Sequence, residues 1–177
     1  MRKNKIDIIC LQEVELSQDD DLSLMEISGF TMEIERSNGK RRSMIYIRNT
    51  IQYERHHPKE QENSHIILIS IKENNRTIQL ASVYRTFKLS STKTHKEEFA
   101  DQLEVLRQFL NNEKAGLVLG DLNLDYNKKG NLSYNNHAMF RQLDELTNEK
   151  NLTQLVNFNT WRRIVNGELR TSLLDHV

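Results

Sequence analysis

Cysteine is nearly absent: Cys10 is the single one in 177 residues, so no internal disulfide can form. Its place in the apolar run of residues 6–11 reads as a small buried hydrophobe in a reducing compartment, with a free reactive thiol as the alternative. Proline is as scarce. Pro58 stands among charged residues and marks a loop, and no repeat, linker or low-complexity segment interrupts the chain. No apolar run approaches the ~18 residues of a membrane-spanning helix. Arg2, Lys3 and Lys5 precede only a short apolar run, broken by Asp7 and lacking a small-residue cleavage site, a pattern unlike a signal peptide. The expectation is an intracellular protein, nuclear or cytoplasmic, with no membrane association and no disulfide partner. An excess of either charge is also missing, because 25 Lys and Arg balance 25 Asp and Glu. No global positive field announces a nucleic-acid partner, and any such site has to be built from local loops. The length suits one domain with a sizeable core.

What is present is a succession of short apolar segments. Residues 6–11 are almost continuously apolar, as in a strand covered on both faces. A domain rarely opens on its central strand, so a preceding piece is expected. Residues 17–21 are acidic and polar and read as a loop, or as the start of a short helix through 22–27 that Gly29 stops. Residues 30–35 and 43–47 predict two strands joined at Asn38 and Gly39, with Lys40, Arg41 and Arg42 forming a basic tip. Residues 65–71 and 77–83 predict a second hairpin around Glu73, Asn74 and Asn75. From 94 to 110 the period changes: Phe99, Leu103, Leu106 and Leu110 recur at three and four positions, with Glu97 and Glu98 in the first turn, which predicts an amphipathic helix. After a polar loop at 127–136, Met139, Phe140, Leu143 and Leu146 mark another helix. Residues 152–156 read as a short strand, and Asn166 with Gly167 as a turn. The whole predicts an α/β or α+β layered protein, sheet packed on sheet with helices outside.

Four of these strand-like segments end abruptly in polar groups. Leu117, Val118, Leu119 and Gly120 run into Asp121, Leu122, Asn123, Leu124 and Asp125; Gln12 and Glu13 close the first strand; Tyr84 and Arg85 close another; Asp175 and His176 close the last. In an extended chain Asp121 and Asn123 share a face while Leu122 and Leu124 point into the core. Acid-rich ends on several strands are what an active-site rim requires. Carboxylates, an amide and a histidine without a cysteine cluster favour a hard divalent cation, Mg2+ or Mn2+, over zinc. With a tyrosine and an arginine nearby, the set suits phosphoryl or phosphodiester chemistry, in which charge builds on oxygen. Each signal has a plainer alternative. Asp121 and Asn123 are also good turn residues, and Glu13, with Glu15 close behind, also fits a solvated strand end. Tyr84 also fits a core cap with its hydroxyl in water, and Arg85 faces away from Tyr84 if strand alternation persists. His56, His57 and His95 sit in polar surroundings and are expected to be solvated. Trp161, Arg162 and Arg163, like the basic tip at residues 40–42, are candidates for touching DNA, the cations through phosphates and Trp161 by stacking or wedging against a base; a half-buried tryptophan and a solvated turn are the alternatives.

In this order, the stretches ending in Gln12 and Glu13, in Tyr84 and Arg85, in Asp121 and Asn123, and in Asp175 resemble the endonuclease/exonuclease/phosphatase family. The tyrosine–arginine pair, residues 152–156 and the Asn159, Thr160, Trp161, Arg162, Arg163 segment resemble in particular the apurinic-type endonuclease domain of non-LTR retrotransposons. The resemblance implies an α/β fold, a four-layer α/β/β/α sandwich of the DNase I-like type, and a metal-dependent hydrolase acting on DNA, with a reverse transcriptase in cis as a possible partner. Carried over residue by residue, it makes Glu13 the ligand of Mg2+ or Mn2+ and has Asp121 orient or deprotonate the attacking water. Asn123 holds a phosphate oxygen or that water, Tyr84 contacts the scissile phosphate, and Arg85 is a phosphate-side contact suited by its fork geometry.

In that family Asp175 matches an acid that orients the catalytic histidine, and the histidine itself belongs to a Ser-Asp-His motif further on. His176 is therefore expected to occupy a variable position, with a role as base the lesser alternative. One domain over 1–177, lacking the family's first strand and that C-terminal segment, is expected. A DNA endonuclease is the leading reading. The others are an inositol or lipid phosphatase or phosphodiesterase of the same superfamily, and a catalytically dead fragment or binding module. Basic loops beside an open groove would favour nucleic acid, whereas a deep closed pocket would favour a small head group.

Overall fold

Three strands buried on both faces build the centre of the molecule. In β3 (Arg41–Arg48), β5 (Ile66–Glu73) and β6 (Arg76–Tyr84), side chains point by turns to opposite faces. Ile45 and Ile47 pack with Ile67, Ile69, Ile71 and Leu80 in one cluster between two sheets, while Ile66, Leu68, Ala81 and Val83 belong to a second cluster against helices. The computed structural model describes residues 6–36, 39–57, 65–86, 94–165 and 168–176.

The smaller sheet has the order β1-β3-β2, with β1 (Ile8–Leu16) and β2 (Phe30–Ile34) antiparallel to β3. The larger sheet has the order β10-β7-β6-β5-β4, formed with β4 (Gln52–His56), β7 (Ala115–Asp121) and β10 (Asp175–His176). Its outer face carries α1 (His95–Phe109), through Phe99, Leu103 and Leu106, and α2 (His137–Glu149), through Met139, Phe140 and Leu146. β8 (Trp161–Val165) and β9 (Glu168–Ser172) form a separate hairpin. The expected α/β sandwich is present as helices, sheet and sheet. Among the described residues the fourth layer is a 3-10 turn, Leu22–Met25, capped by Asp21 and held to the small sheet where Tyr46 donates to the Met25 carbonyl at 2.6 Å.

Both helices and both predicted hairpins form. Thr94 and Glu97 close a capping box at the start of α1. β5 and β6 turn through Asn74 and Asn75, whose φ angles of 47° and 63° make the doubly left-handed turn that matches strand twist. Asn75→Val, with a β-branched side chain at that φ, is expected to cost about 1 kcal/mol, read as a lower urea midpoint.

Two expectations change and one strand is added. Residues 152–156 form no strand. Gln52–His56, polar in composition, is an edge strand paired with β5. His56 is not simply solvated: Nε2 lies 2.8 Å from Ser70 Oγ, and the ring packs on Phe109 at 5.2 Å. Asn38, Asn166 and Gly167 lie outside the described residues. Burial pushes the Cys10 thiol up to about 11, which keeps it protonated at neutral pH and supports the packing reading.

Candidate functional site

The predicted strand ends meet on one rim because of how β6, β7 and β10 align. β6 and β7 run parallel with Tyr84 opposite Asp121, and β10 runs antiparallel to β7 with Asp175 opposite Asp121 and His176 opposite Gly120. Residues 84, 121 and 175 therefore form a row across three neighbouring strands. The side chains of Asp175 and His176 lie outside the described part of the structure.

Glu13 joins this row from the other sheet. Tyr84 Oη donates to Glu13 Oε1 at 2.8 Å, and one residue earlier Gln12 Nε2 donates to Ser82 Oγ at 3.1 Å. Glu13 is exposed, and it stands in an irregular end of β1: pairing with β3 shifts register between Gln12 and Leu16, and Glu13 and Glu15 take φ of 58° and 51°. Left-handed backbone at non-glycine residues costs energy, and here it re-aims a carboxylate out of the sheet. Burial, reinforced by the Glu13 hydrogen bond and charge, pushes the Tyr84 phenol up to about 12 against the opposing Arg42 charge. Tyr84 therefore remains a hydrogen-bond donor throughout the physiological range.

At the end of β7 the expected alternation fails, because the strand stops at Asp121. Asn123 adopts φ 51°, and its backbone N–H donates to Asp121 Oδ1 at 2.7 Å, a side-chain-closed turn. Leu122, Asn123, Leu124 and Asp125 are then all buried, not alternately so. The Asn123 side chain spends one of its N–H groups on the Arg85 carbonyl at 2.6 Å. Asp125, which sequence reasoning gave no role, accepts from the backbone of Leu173 at 3.2 Å and ties this turn to the segment leading into β10.

Arg85 differs from its expected phosphate-side placement. Its side chain is buried and turned inward, donating to the Leu122 carbonyl and, at 2.7 Å, to the Asn123 carbonyl. The strand ends at Tyr84, and the nearest acceptors are the carbonyls of the neighbouring turn. Arg85 thus shapes the Asp121 turn from beneath. Arg85→Met leaves two carbonyls without that partner and is expected to lower stability by roughly 3 kcal/mol, measured by urea unfolding, since charged hydrogen bonds contribute about 1.5–3 kcal/mol each.

Trp161, Arg162 and Arg163 lie on β8, Trp161 38% exposed and both arginines exposed. The hairpin base is fastened to the rim's supporting loop: Asn159 accepts from Asn127 Nδ2 at 2.7 Å and donates to Thr171 Oγ1 at 2.9 Å. A cleft of about 620 Å³ opens on the helix side, lined by Leu106, Val118, Leu143, Leu146 and Leu152 among others, and takes in none of Glu13, Tyr84 or Asp121. Among the described residues no three His, Cys, Asp or Glu side chains cluster as a metal cage. Glu13 nevertheless offers an exposed hard oxygen ligand, which fits Mg2+, an ion that keeps several waters and needs only one or two carboxylates beside a substrate phosphate. No helix among the described residues is long and apolar enough to cross a membrane.

A two-sheet α/β sandwich whose strand ends gather a glutamate, a tyrosine and an aspartate defines a DNase I-like protein. The chain belongs to the endonuclease/exonuclease/phosphatase family, whose model matches residues 1–177. Its fold is similar to the endonuclease domain of TRAS1, a telomere-specific non-LTR retrotransposon, at TM-score 0.65 and 19% identity, covering 96% of this chain and 71% of that one. It is also similar to a humanized TDP2 of D. rerio, at TM-score 0.55 and 18% identity over 96% and 68% of the two chains. A third similar structure is the AP endonuclease LMAP of Leishmania major, at TM-score 0.55 and 15% identity over 84% and 58%. No curated protein matches the chain.

Proposed function

We propose that this chain is a DNA endonuclease of the kind carried by non-LTR retrotransposons, hydrolysing a phosphodiester bond with Mg2+ or Mn2+. The observation that carries the reading is the Tyr84–Glu13 hydrogen bond joining the two sheets beside Asp121. Glu13 would hold the ion, which when bound neutralises charge on the phosphoryl oxygens. Asp121 takes the proton of the attacking water. Tyr84, kept protonated, turns its one O–H from Glu13 to the scissile phosphate once Glu13 holds the ion, and Asn123, fixed by Arg85, presents its second N–H to a phosphate oxygen or to the water. Asp175, opposite Asp121, is the further acid of the set.

The exposed Trp161, Arg162 and Arg163 on β8 favour a nucleic-acid substrate over a small head group. So do the names of similar structures, among them D. rerio TDP2 with a single-strand DNA product. A reverse transcriptase in cis is the partner this reading suggests. The test is a plasmid-nicking assay with magnesium against chelator, on the chain alone and within its full reading frame. Nicking that needs magnesium is expected; no nicking by either form overturns the reading.

A further inference from the structure

Behind Tyr84 lies a buried acid–imidazole pair that the proposed chemistry does not use. Glu35 and His65 are 3% and 4% exposed, and Glu35 Oε1 stands 2.7 Å from His65 Nδ1. The same oxygen accepts the backbone N–H of Arg42, and Glu35 Oε2 has no hydrogen-bond partner among the described residues. A buried carboxylate needs a donor, which assigns the proton of the contact to His65 Nδ1. The other edge of the pair faces the candidate site. The His65 ring packs on the Tyr84 ring with centroids 5.9 Å apart and planes tilted by 50°, and the His65 carbonyl accepts from the Tyr84 backbone N–H at 2.9 Å and from Ser43 Oγ at 3.1 Å. Arg42, held by Glu15 at 2.7 Å, sets its guanidinium 6.0 Å from the centroid of the Tyr84 ring. The phenol that reaches Glu13 is thus seated by groups from β3, from the segment after β2 and from the residue just before β5.

We infer that His65, locked by Glu35, is a positioning residue that fixes the Tyr84 ring and thereby the point where its hydroxyl meets Glu13 and the substrate phosphate. The inference rests on the nuclease reading for its catalytic consequence, and on geometry alone for the hold on Tyr84. It is physically reasonable because a ring with one free torsion beyond Cβ is placed by what packs on it. A pair ordered by a buried carboxylate cannot rotate away without stranding that carboxylate.

His65→Asn removes the ring surface while keeping an N–H near Glu35, and Glu35→Gln keeps the shape while removing the charge. The first measurement needs no activity: NMR of ring-labelled tyrosine at neutral pH, with Tyr84 assigned by its loss in Tyr84→Phe, follows the flipping of the Tyr84 ring, which the His65 ring packs against. In His65→Asn the ring is expected to flip about 10-fold faster or more, since its packing partner is gone, and an unchanged flip rate overturns the inference. The second measurement is a double-mutant cycle on nicking. His65→Asn is expected to lower kcat about 10-fold with KM little changed, and to have almost no further effect in the Tyr84→Phe background. Equal losses in both backgrounds mean a general structural role and overturn the inference. If His65→Asn fails to fold, Glu35→Gln carries both tests with the same expected directions. If the Tyr84 ring flips faster in His65→Asn while the unsubstituted chain does not nick, the nuclease reading falls and the hold of His65 on Tyr84 stands.

Discussion

Asp121→Asn is expected to lower magnesium-dependent nicking by roughly 10²–10⁴-fold, the contribution of a positioned proton acceptor, while leaving the melting temperature nearly unchanged. The substitution separates two roles of one side chain. Asp121 Oδ1 accepts the Asn123 backbone N–H and closes the turn, and an asparagine carbonyl in the same place accepts it equally well. Only the negative charge and the basicity toward water are lost. Asp121→Ala removes both roles, so its effect on nicking should be at least as large and should come with a measurable loss of stability from the opened turn. A chain in which Asp121→Asn nicks plasmid at the unsubstituted rate would remove Asp121 from the chemistry.

The largest effect on stability is expected at Gly120. A Cβ built there stands 1.8 Å from the Val83 carbonyl oxygen and 2.8 Å from its carbon. The obstacle is backbone, held on one side by antiparallel pairing with β5 and on the other by parallel pairing with β7, so no side chain can swing aside. Gly120→Ala must therefore push the two strands apart, at a cost of about 3 kcal/mol or more by the measure of overpacked cores. Against the ~5–15 kcal/mol that holds an ordinary domain together, this is enough to turn much of the protein insoluble. Urea titration measures it directly. Gly130→Ala is the control: nothing lies within 4 Å of its added Cβ, and its midpoint should not fall. Because Val83 and Gly120 directly precede Tyr84 and Asp121 in the paired register, any folded Gly120→Ala also widens the gap between those two groups and should nick poorly.

The fold was legible wherever one period dominated. α1 and α2 announced themselves through apolar positions three and four apart, and β5 and β6 through two β-rich runs around an Asn-Asn turn. Reading failed where tertiary partners decide. Gln52–His56 is polar and becomes a strand because β5 offers it an edge. Residues 152–156 are apolar enough for a strand but form none. In the candidate site, the strand-end acids, Tyr84 and Asn123 were visible in the chain, since an apolar run that stops in a carboxylate is a local pattern. The inward turn of Arg85 was not visible, because it depends on where β6 ends relative to two carbonyls 37 and 38 residues later. Nor was the Glu35–His65 pair, whose members are 30 residues apart and each unremarkable alone.

The isoleucine cluster between the sheets has a consequence at the rim. Glu13 rides on the three-stranded sheet, while Tyr84 and Asp121 ride on the five-stranded one. Ile45, Ile47, Ile67 and Ile69 set how far one sheet can slide over the other. They act as a vernier for the gap across which Tyr84 meets Glu13, so the constellation exists only while the two halves of the sandwich stay docked, and its integrity reports on that docking long before either sheet unravels.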